Sequence, residues 1–136
     1  MDKKIGLWLD RNKAVIVSIT DNVQARVIIT SDMAHYLPYR NGSIEHEISE
    51  EGISDPRFWK HLSEYYEKIV LHIRDASEIL IFGPASAKQE LQQRLDGQGL
   101  GGLVVGFEDA GRMTDLEIAT KVLKRFPLRS RFDMAH

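Results

Sequence analysis

The chain has 136 residues, and its 18 lysines and arginines against 20 aspartates and glutamates give a formal net charge of −2 at pH 7. Apolar residues make up 43% of the chain and charged residues 28%, which is typical of a globular protein and argues against nucleic-acid binding by the whole surface. The absence of cysteine excludes disulfides, cysteine-ligated metal sites and a cysteine nucleophile.

The first thirty residues predict three antiparallel strands. Apolar residues alternate between residues 5 and 9, a β-branched run covers residues 14–19, and a third β-rich stretch covers residues 23–29. Polar turns at residues 10–13 and 21–22 separate these stretches, and short polar turns between β-rich stretches are typical of hairpins. The pattern therefore predicts a three-stranded meander.

A long polar segment, residues 32–55, follows the third strand and has no sustained hydrophobic period. From residue 41 onward this segment contains no lysine or arginine, and its five acidic residues are Glu45, Glu47, Glu50, Glu51 and Asp55. We predict a long acidic loop.

Helices alternate with strands in the rest of the chain. Asp55-Pro56 predicts the N-cap and first turn of a helix whose apolar residues recur at three- and four-residue spacing as far as Ile73. The apolar run at residues 78–82 predicts a buried strand, and residues 103–107 predict a fifth strand.

Capping signals mark two further helices. Ser86 and Gln89 have the spacing of a capping box at the start of the second helix, and Thr114 and Glu117 have it at the start of the third. Pro127 predicts the end of the third helix.

The predicted order is β-β-β-α-β-α-β-α, which places the chain in the α/β class. A meander followed by two strand–helix crossovers with right-handed connections gives a mixed five-stranded sheet flanked by helices, the element order of ribonuclease H-like folds. We predict a single domain over residues 1–128 and a C-terminal tail over residues 129–136.

A metal-dependent nuclease or phosphoesterase is one function compatible with this order, since clustered carboxylates can hold two divalent ions about 4 Å apart. Asp10, at the end of the first strand, and Glu64 or Glu67, on the first helix, are the candidate ligands. The fourth strand ends in Phe82-Gly83-Pro84 without an acid, so the set is incomplete, and a turn-forming role for Asp10 is the alternative.

Basic residues collect near the C-terminus, where residues 121–131 contain no acid. A further lysine lies one turn into the second helix, where free backbone N–H groups favour an anion. Such residues could contact phosphates, and the alternative is a solvated helix end that complements the dipole. The candidates are Lys88, Arg112, Lys121, Lys124, Arg125, Arg129 and Arg131.

Two adjacent aromatic pairs, Phe58-Trp59 and Tyr65-Tyr66, lie on the first helix. Neighbouring helix positions face different directions, so one residue of each pair should face the core. We expect Trp59 and Tyr66 to point away from it and to form a partner interface, for example in a homodimer. Packing under the long loop is the alternative.

We expect no cofactor and no metal site, because no two histidines have the i,i+4 spacing of a helical metal site, and no small-molecule substrate is indicated. The apolar run at residues 5–9 is shorter than the ~7–15 residues that a signal peptide needs. No stretch approaches the ~20 apolar residues of a membrane span, so we expect a cytoplasmic protein without membrane contact.

Three stretches carry a family resemblance: residues 79–84 (ILIFGP), 86–91 (SAKQEL) and 105–119 (VGFEDAGRMTDLEIA). With the element order, they resemble the middle domain of eukaryotic and archaeal class-1 peptide release factors and Pelota. The chain looks most similar to the small bacterial stand-alone versions of that domain, the translational machinery component group. The resemblance covers residues 4–126.

The resemblance implies a ribonuclease H-like fold and a link to the ribosome or to RNA. In the release factors, the reaction depends on a Gly-Gly-Gln tripeptide between the third strand and the first helix, and residues 36–55 contain none. We therefore expect a non-catalytic, translation-associated protein.

Overall fold

The computed structural model describes residues 2–31 and 56–128 of the protein. The predicted acidic loop, the Asp55 cap, Arg129, Arg131 and the tail lie outside these residues. The elements are β1 Lys3–Leu9, β2 Lys13–Thr20, β3 Val23–Thr30, α1 Pro56–Ile73, β4 Glu78–Gly83, α2 Ala85–Gly97, a 3₁₀ turn Gly101–Leu103, β5 Val104–Asp109 and α3 Asp115–Arg125.

The five strands form one mixed sheet in the order β3-β2-β1-β4-β5. β1 and β3 are both antiparallel to β2, whereas β4 and β5 continue from β1 in parallel. This is the predicted α/β class, with the predicted mixed five-stranded sheet flanked by helices. None of the described helices is long and apolar enough to cross a membrane.

The turn between β2 and β3 explains the regular pairing of this hairpin. Asp21 and Asn22 have φ angles of 50° and 66°, both in the left-handed region. Two successive residues of this kind make the turn whose twist matches antiparallel strands, and Asp and Asn tolerate the conformation well. The turn therefore sets a register that continues from Thr20–Val23 to Lys13–Thr30.

Helices cover both faces of the sheet. α1 and α2 pack on one face, where Ile5, Leu7 and Leu9 of β1 belong to the larger buried cluster. α3 packs on the other face, in a second cluster with Trp8 of β1 and Phe82 of β4. Because β1 and β4 are covered on both sides, their sequences are nearly continuous apolar runs.

Of the two predicted capping boxes, the one at α3 is confirmed. Thr114 Oγ1 accepts from the Glu117 N–H, and the Glu117 carboxylate accepts from the Thr114 N–H. The one at α2 is wrong, because this helix begins at Ala85, after an extended Pro84, and has no side-chain cap. Ser86 consequently lies inside the first turn instead of in front of it.

α2 ends at a glycine in the left-handed conformation. Gly99 has a φ of 75°, and its N–H donates to the Asp96 carbonyl at 3.1 Å. The Leu100 N–H donates to the Leu95 carbonyl at 2.8 Å, which completes a Schellman motif. Leu100 then packs against the core cluster that contains Leu95.

Gly6→Ala should lower the free energy of unfolding by about 1–3 kcal/mol, because overpacking forces the backbone or neighbouring side chains to move. A Cβ at Gly6 would lie under 3.0 Å from three side-chain carbons of Val122 on α3. Val122→Ala removes the two nearest of these carbons and leaves only Cβ, at 2.9 Å, so the cost of Gly6→Ala should be smaller in that background.

Urea denaturation of the single and double variants measures this coupling. Gly102→Ala is the control, because a Cβ there meets nothing within 4 Å. Equal costs of Gly6→Ala in the two backgrounds would contradict the close approach of α3 to β1.

Candidate functional site at the basic end of α3

The position of α3 on the sheet is set at both ends of the helix. Ahead of its first turn, the Gly111 carbonyl accepts from Trp8 Nε1 at 3.0 Å, near the C-terminal end of β1. At the other end, the Phe126 ring lies 5.9 Å from Lys4 Nζ, near the N-terminal end of β1. α3 therefore runs antiparallel to β1 and ends beside the start of that strand.

Three cations mark this end, which we call the basic end of α3: Lys4 and Arg125 both lie beside the Phe126 ring, and Lys124 precedes Arg125 in the last helical turn. Lys124 and Arg125 occupy the last helical turn, are exposed, and have no acidic partner among the described residues. The Arg125 guanidinium lies 5.5 Å from the Phe126 ring. Lys4 also pairs with Glu78, so Lys124 and Arg125 carry the net positive charge.

Lys4 is not among the basic residues that the sequence predicts as contacts. It lies 121 positions before Arg125, and only the packing of α3 on β1 brings both residues to the Phe126 ring. The only sequence signal was the Lys3-Lys4 pair ahead of the first apolar run, which does not reveal a partner.

The other predicted basic residues have different surroundings. Lys121 Nζ is 2.7 Å from a Glu108 carboxylate oxygen and 5.5 Å from the centre of the Phe82 ring, so its charge is partly neutralised. Arg112 is exposed, but it lies in the connection before α3, at the opposite end of this helix from Lys124.

Lys88 does not lie on the surface, contrary to its proposed role as an RNA contact. The residue is only 1% exposed, its Nζ pairs with the Asp109 carboxylate, and the Phe107 ring centre is 4.4 Å away. The long aliphatic stem is buried with Ala87 and Leu91 on the inner side of α2, and only the ammonium reaches toward a charged partner.

The aromatic pairs follow the prediction at only one position. Trp59 is 43% exposed beside a buried Phe58, as expected, but Tyr65 and Tyr66 are both buried. The prediction for Tyr66 is wrong because α2 packs against that side of α1. The Tyr66 hydroxyl donates to the Glu90 carboxylate on α2, and burial together with this bond raises the pKa of Tyr66.

A groove of about 360 Å³ lies between α1 and α2 at this contact. Its charged groups are paired: Glu90 accepts from Arg11, and Arg94 donates to Glu67 at 2.9 Å and to Ser63 at 2.6 Å. The network connects the β1–β2 turn to both helices. The lining residues are Trp59, Leu62, Ser63, Tyr66, Glu90, Gln93 and Arg94.

The carboxylates proposed for metal binding do not meet. Asp10 Oδ1 accepts from the backbone N–H groups of Asn12 and Lys13 at 2.7 and 2.8 Å, which makes Asp10 a turn residue. Glu67 is bound to Arg94, and Glu64 is exposed on α1. Within residues 2–31 and 56–128, no three acidic or histidine side chains gather into a possible metal site.

No protein-family model matches the sequence, and no curated protein matches it significantly. Solved structures do match. The Pelota protein of Thermoplasma acidophilum is 17% identical with a TM-score of 0.55, and the alignment covers 90% of this chain and 32% of that one. The archaeal translation termination factor aRF1 is 14% identical with a TM-score of 0.57, and the alignment covers 92% of this chain and 34% of that one.

Pelota of Archaeoglobus fulgidus is similar to the same extent, with 11% identity, a TM-score of 0.54 and coverage of 93% of this chain and 32% of that one. This chain thus spans about a third of each of these proteins. At such low identity the similarity shows the fold, and it extends over most of the chain.

Glu117→Gln should destabilise the protein at neutral pH and have little effect in acid. The hydrogen bonds with Thr114 lower the pKa of Glu117, so its charge stabilises the folded state above the pKa of the unfolded chain. This contribution is lost as the pH falls through the lower, folded-state pKa. Urea denaturation across a pH series measures it, with Glu64→Gln on α1 as the control.

The difference in unfolding free energy between wild type and Glu117→Gln should therefore become smaller as the pH is lowered. A difference that stays constant across the series, or one that Glu64→Gln reproduces, would contradict the role of Glu117 in fixing the start of α3.

Lys88→Met and Asp109→Ala should have unequal effects. Removing Asp109 leaves a buried ammonium without its anion and should cost about 1–3 kcal/mol of unfolding free energy. Removing Lys88 leaves Asp109, whose side chain is 87% exposed and stays hydrated, so the cost should be smaller. In a Lys88→Met background, Asp109→Ala should lower the free energy of unfolding only slightly further. A decrease as large as in the wild-type background would contradict the pairing of Lys88 with Asp109.

Proposed function

We propose that this protein acts in translation in the cytoplasm and binds RNA on the ribosome, without catalysing peptide release. The observation that carries the proposal is the fold: the matches to Pelota and to a translation termination factor cover 90% and 92% of this chain. The sequence stretches at residues 79–91 and 105–119 resemble the same family, in the form of a stand-alone middle domain.

The basic end of α3 is the surface that we propose for contacting RNA. Lys124 and Arg125 are exposed, lie in one helical turn and face solvent without an acidic partner among the described residues. Phosphates attract such side chains, and the displaced counterions make binding weaken steeply as salt rises. Arg125, held beside the Phe126 ring, offers a planar group that matches a phosphate better than a lysine does.

The proposal leaves out peptide release, because the chain contains no Gly-Gly-Gln sequence. A metal-dependent nuclease finds no support either, since Asp10 is used in a turn and Glu67 in an ion pair. What remains is recognition by charge and shape, for which a rigid sheet with one basic helix end is sufficient.

Reversing the charges of Lys124 and Arg125 together should abolish a salt-sensitive association with ribosomes. Wild-type protein should sediment with purified ribosomes at low salt and be released as the KCl concentration rises. In Lys124→Glu/Arg125→Glu, the affinity should fall at least tenfold and the salt slope should decrease by roughly one per lost phosphate contact.

The matched control is Lys60→Glu/Lys68→Glu, which changes the net charge equally on the exposed side of α1, across the sheet from α3. Circular dichroism checks that both variants fold. Wild-type protein that stays in the supernatant at low salt, or an equal loss in the control, would overturn the proposal.

A further inference from the structure

The edge strand β3 is unusually open. It pairs with β2 over all eight of its residues without a register shift, and among residues 2–31 and 56–128 it is the last strand on that side of the sheet. Seven of its eight residues are exposed, and only Ile29 is buried. The outer backbone groups of a long, regular strand of this kind can pair with another strand.

The opposite edge is built differently. β5 has six residues, its pairing with β4 shifts between Ile79 and Leu80, and it ends in the exposed acids Glu108 and Asp109. A short strand, an irregular register and charges are the usual means of preventing edge pairing. β3 is longer and regular, and its one charged residue, Arg26, lies 3.9 Å from Asp115 of α3.

Apolar side chains are exposed on both faces of β3. On the α1 and α2 side, Val23 is 64% exposed and Val27 is 38% exposed. On the α3 side, Ile28 is 48% exposed. Leu116 of α3 is 76% exposed, and it follows Asp115, which pairs with Arg26 of β3. A second sheet that paired with β3 would cover exposed apolar side chains on both faces of this strand.

We propose that β3 pairs antiparallel with β3 of a second copy of this chain, about a two-fold axis at Val27, to join two five-stranded sheets. The inference does not depend on RNA binding. It replaces the Trp59 and Tyr66 interface expected from the sequence, since Tyr66 is buried.

The register follows from the side chains of β3. With Val27 opposite its own copy, Ala25 faces Ile29, Gln24 faces Thr30 and Val23 faces Ser31, so the whole strand is paired. An axis at Arg26 would place like charges directly opposite each other, which is destabilising. An axis at Ile28 would place Val23 and Gln24 opposite residues 33 and 32, beyond the last residue of β3.

A second copy is favoured over a head-to-tail arrangement for the same reason. Pairing β3 with β5 of another molecule would require the irregular, acidic edge to align with a regular strand. Head-to-tail pairing would also add further molecules to form an open filament, whereas a two-fold dimer pairs both β3 edges and is closed.

Because the chain has no cysteine, single cysteines report directly on this contact. Val27→Cys should form a disulfide-linked dimer rapidly under mild oxidation, since residues directly opposite in an antiparallel pair are close enough for a disulfide. Leu71→Cys, 58% exposed on α1, is the control and should cross-link far more slowly.

Charge substitution at the axis gives an independent test that also monitors folding. Sedimentation of the wild type should show a dimer, and Val27→Lys and Val27→Glu should each be monomeric because like charges oppose each other. Mixing the two variants should restore a dimer, which a misfolded protein would not do. Leu71→Lys should remain dimeric.

A monomeric wild type at high concentration would overturn the proposal, as would slow cross-linking of Val27→Cys or monomers in the mixture of Lys and Glu variants. Preferential cross-linking between Val27→Cys and Val105→Cys in a mixture would show head-to-tail pairing and would overturn it as well.

Discussion

The close packing of α3 on β1 at Gly6 is the constraint on which the rest of this molecule depends. With no side chain at Gly6, Val122 reaches the strand, and the whole helix lies flat across the sheet. Two results follow from that single approach. The face opposite α1 and α2 is closed over Trp8 and Phe82, and the last turn of α3 ends beside Lys4. The position of the candidate site therefore depends on how α3 packs in the core.

The elements of the fold could be predicted because each has a strong local signal. The turn at Asp21-Asn22 requires left-handed residues, and the continuous run at residues 78–82 requires burial on both sides. The mixed five-stranded sheet could also be predicted, since a meander followed by two strand–helix crossovers leaves few arrangements. The prediction for the start of α2 is wrong because an uncapped helix begins after Pro84, two residues earlier than the Ser86 signal indicated.

Side-chain roles were harder to predict, because they depend on contacts between distant segments. Lys88 looked like a surface cation, since its position near a helix start says nothing about the Asp109 and Phe107 that β5 brings to it. Tyr66 looked exposed, since only the packing of α2 places Glu90 over its hydroxyl. Periodicity shows which side of a helix is apolar, but it does not show how far the next helix covers that side.

The two proposed surfaces have a defined relation to one another. A two-fold axis normal to the sheet keeps both copies of α3 on the same face, so a β3-paired dimer would present two basic ends on one side. Between the two β1 strands lie five strand spacings of about 4.8 Å, a lateral separation of about 24 Å. Lys4 is level with Gln24, three residues from the axis, and the axis reverses β1, so the two basic ends would also lie about 20 Å apart along the strands. A rigid dimer would hold both ends at a fixed distance from each other, for contact with phosphates of one folded RNA. Pairing through β3 would then raise the affinity for RNA by making the second contact intramolecular, without any change at Lys124 or Arg125.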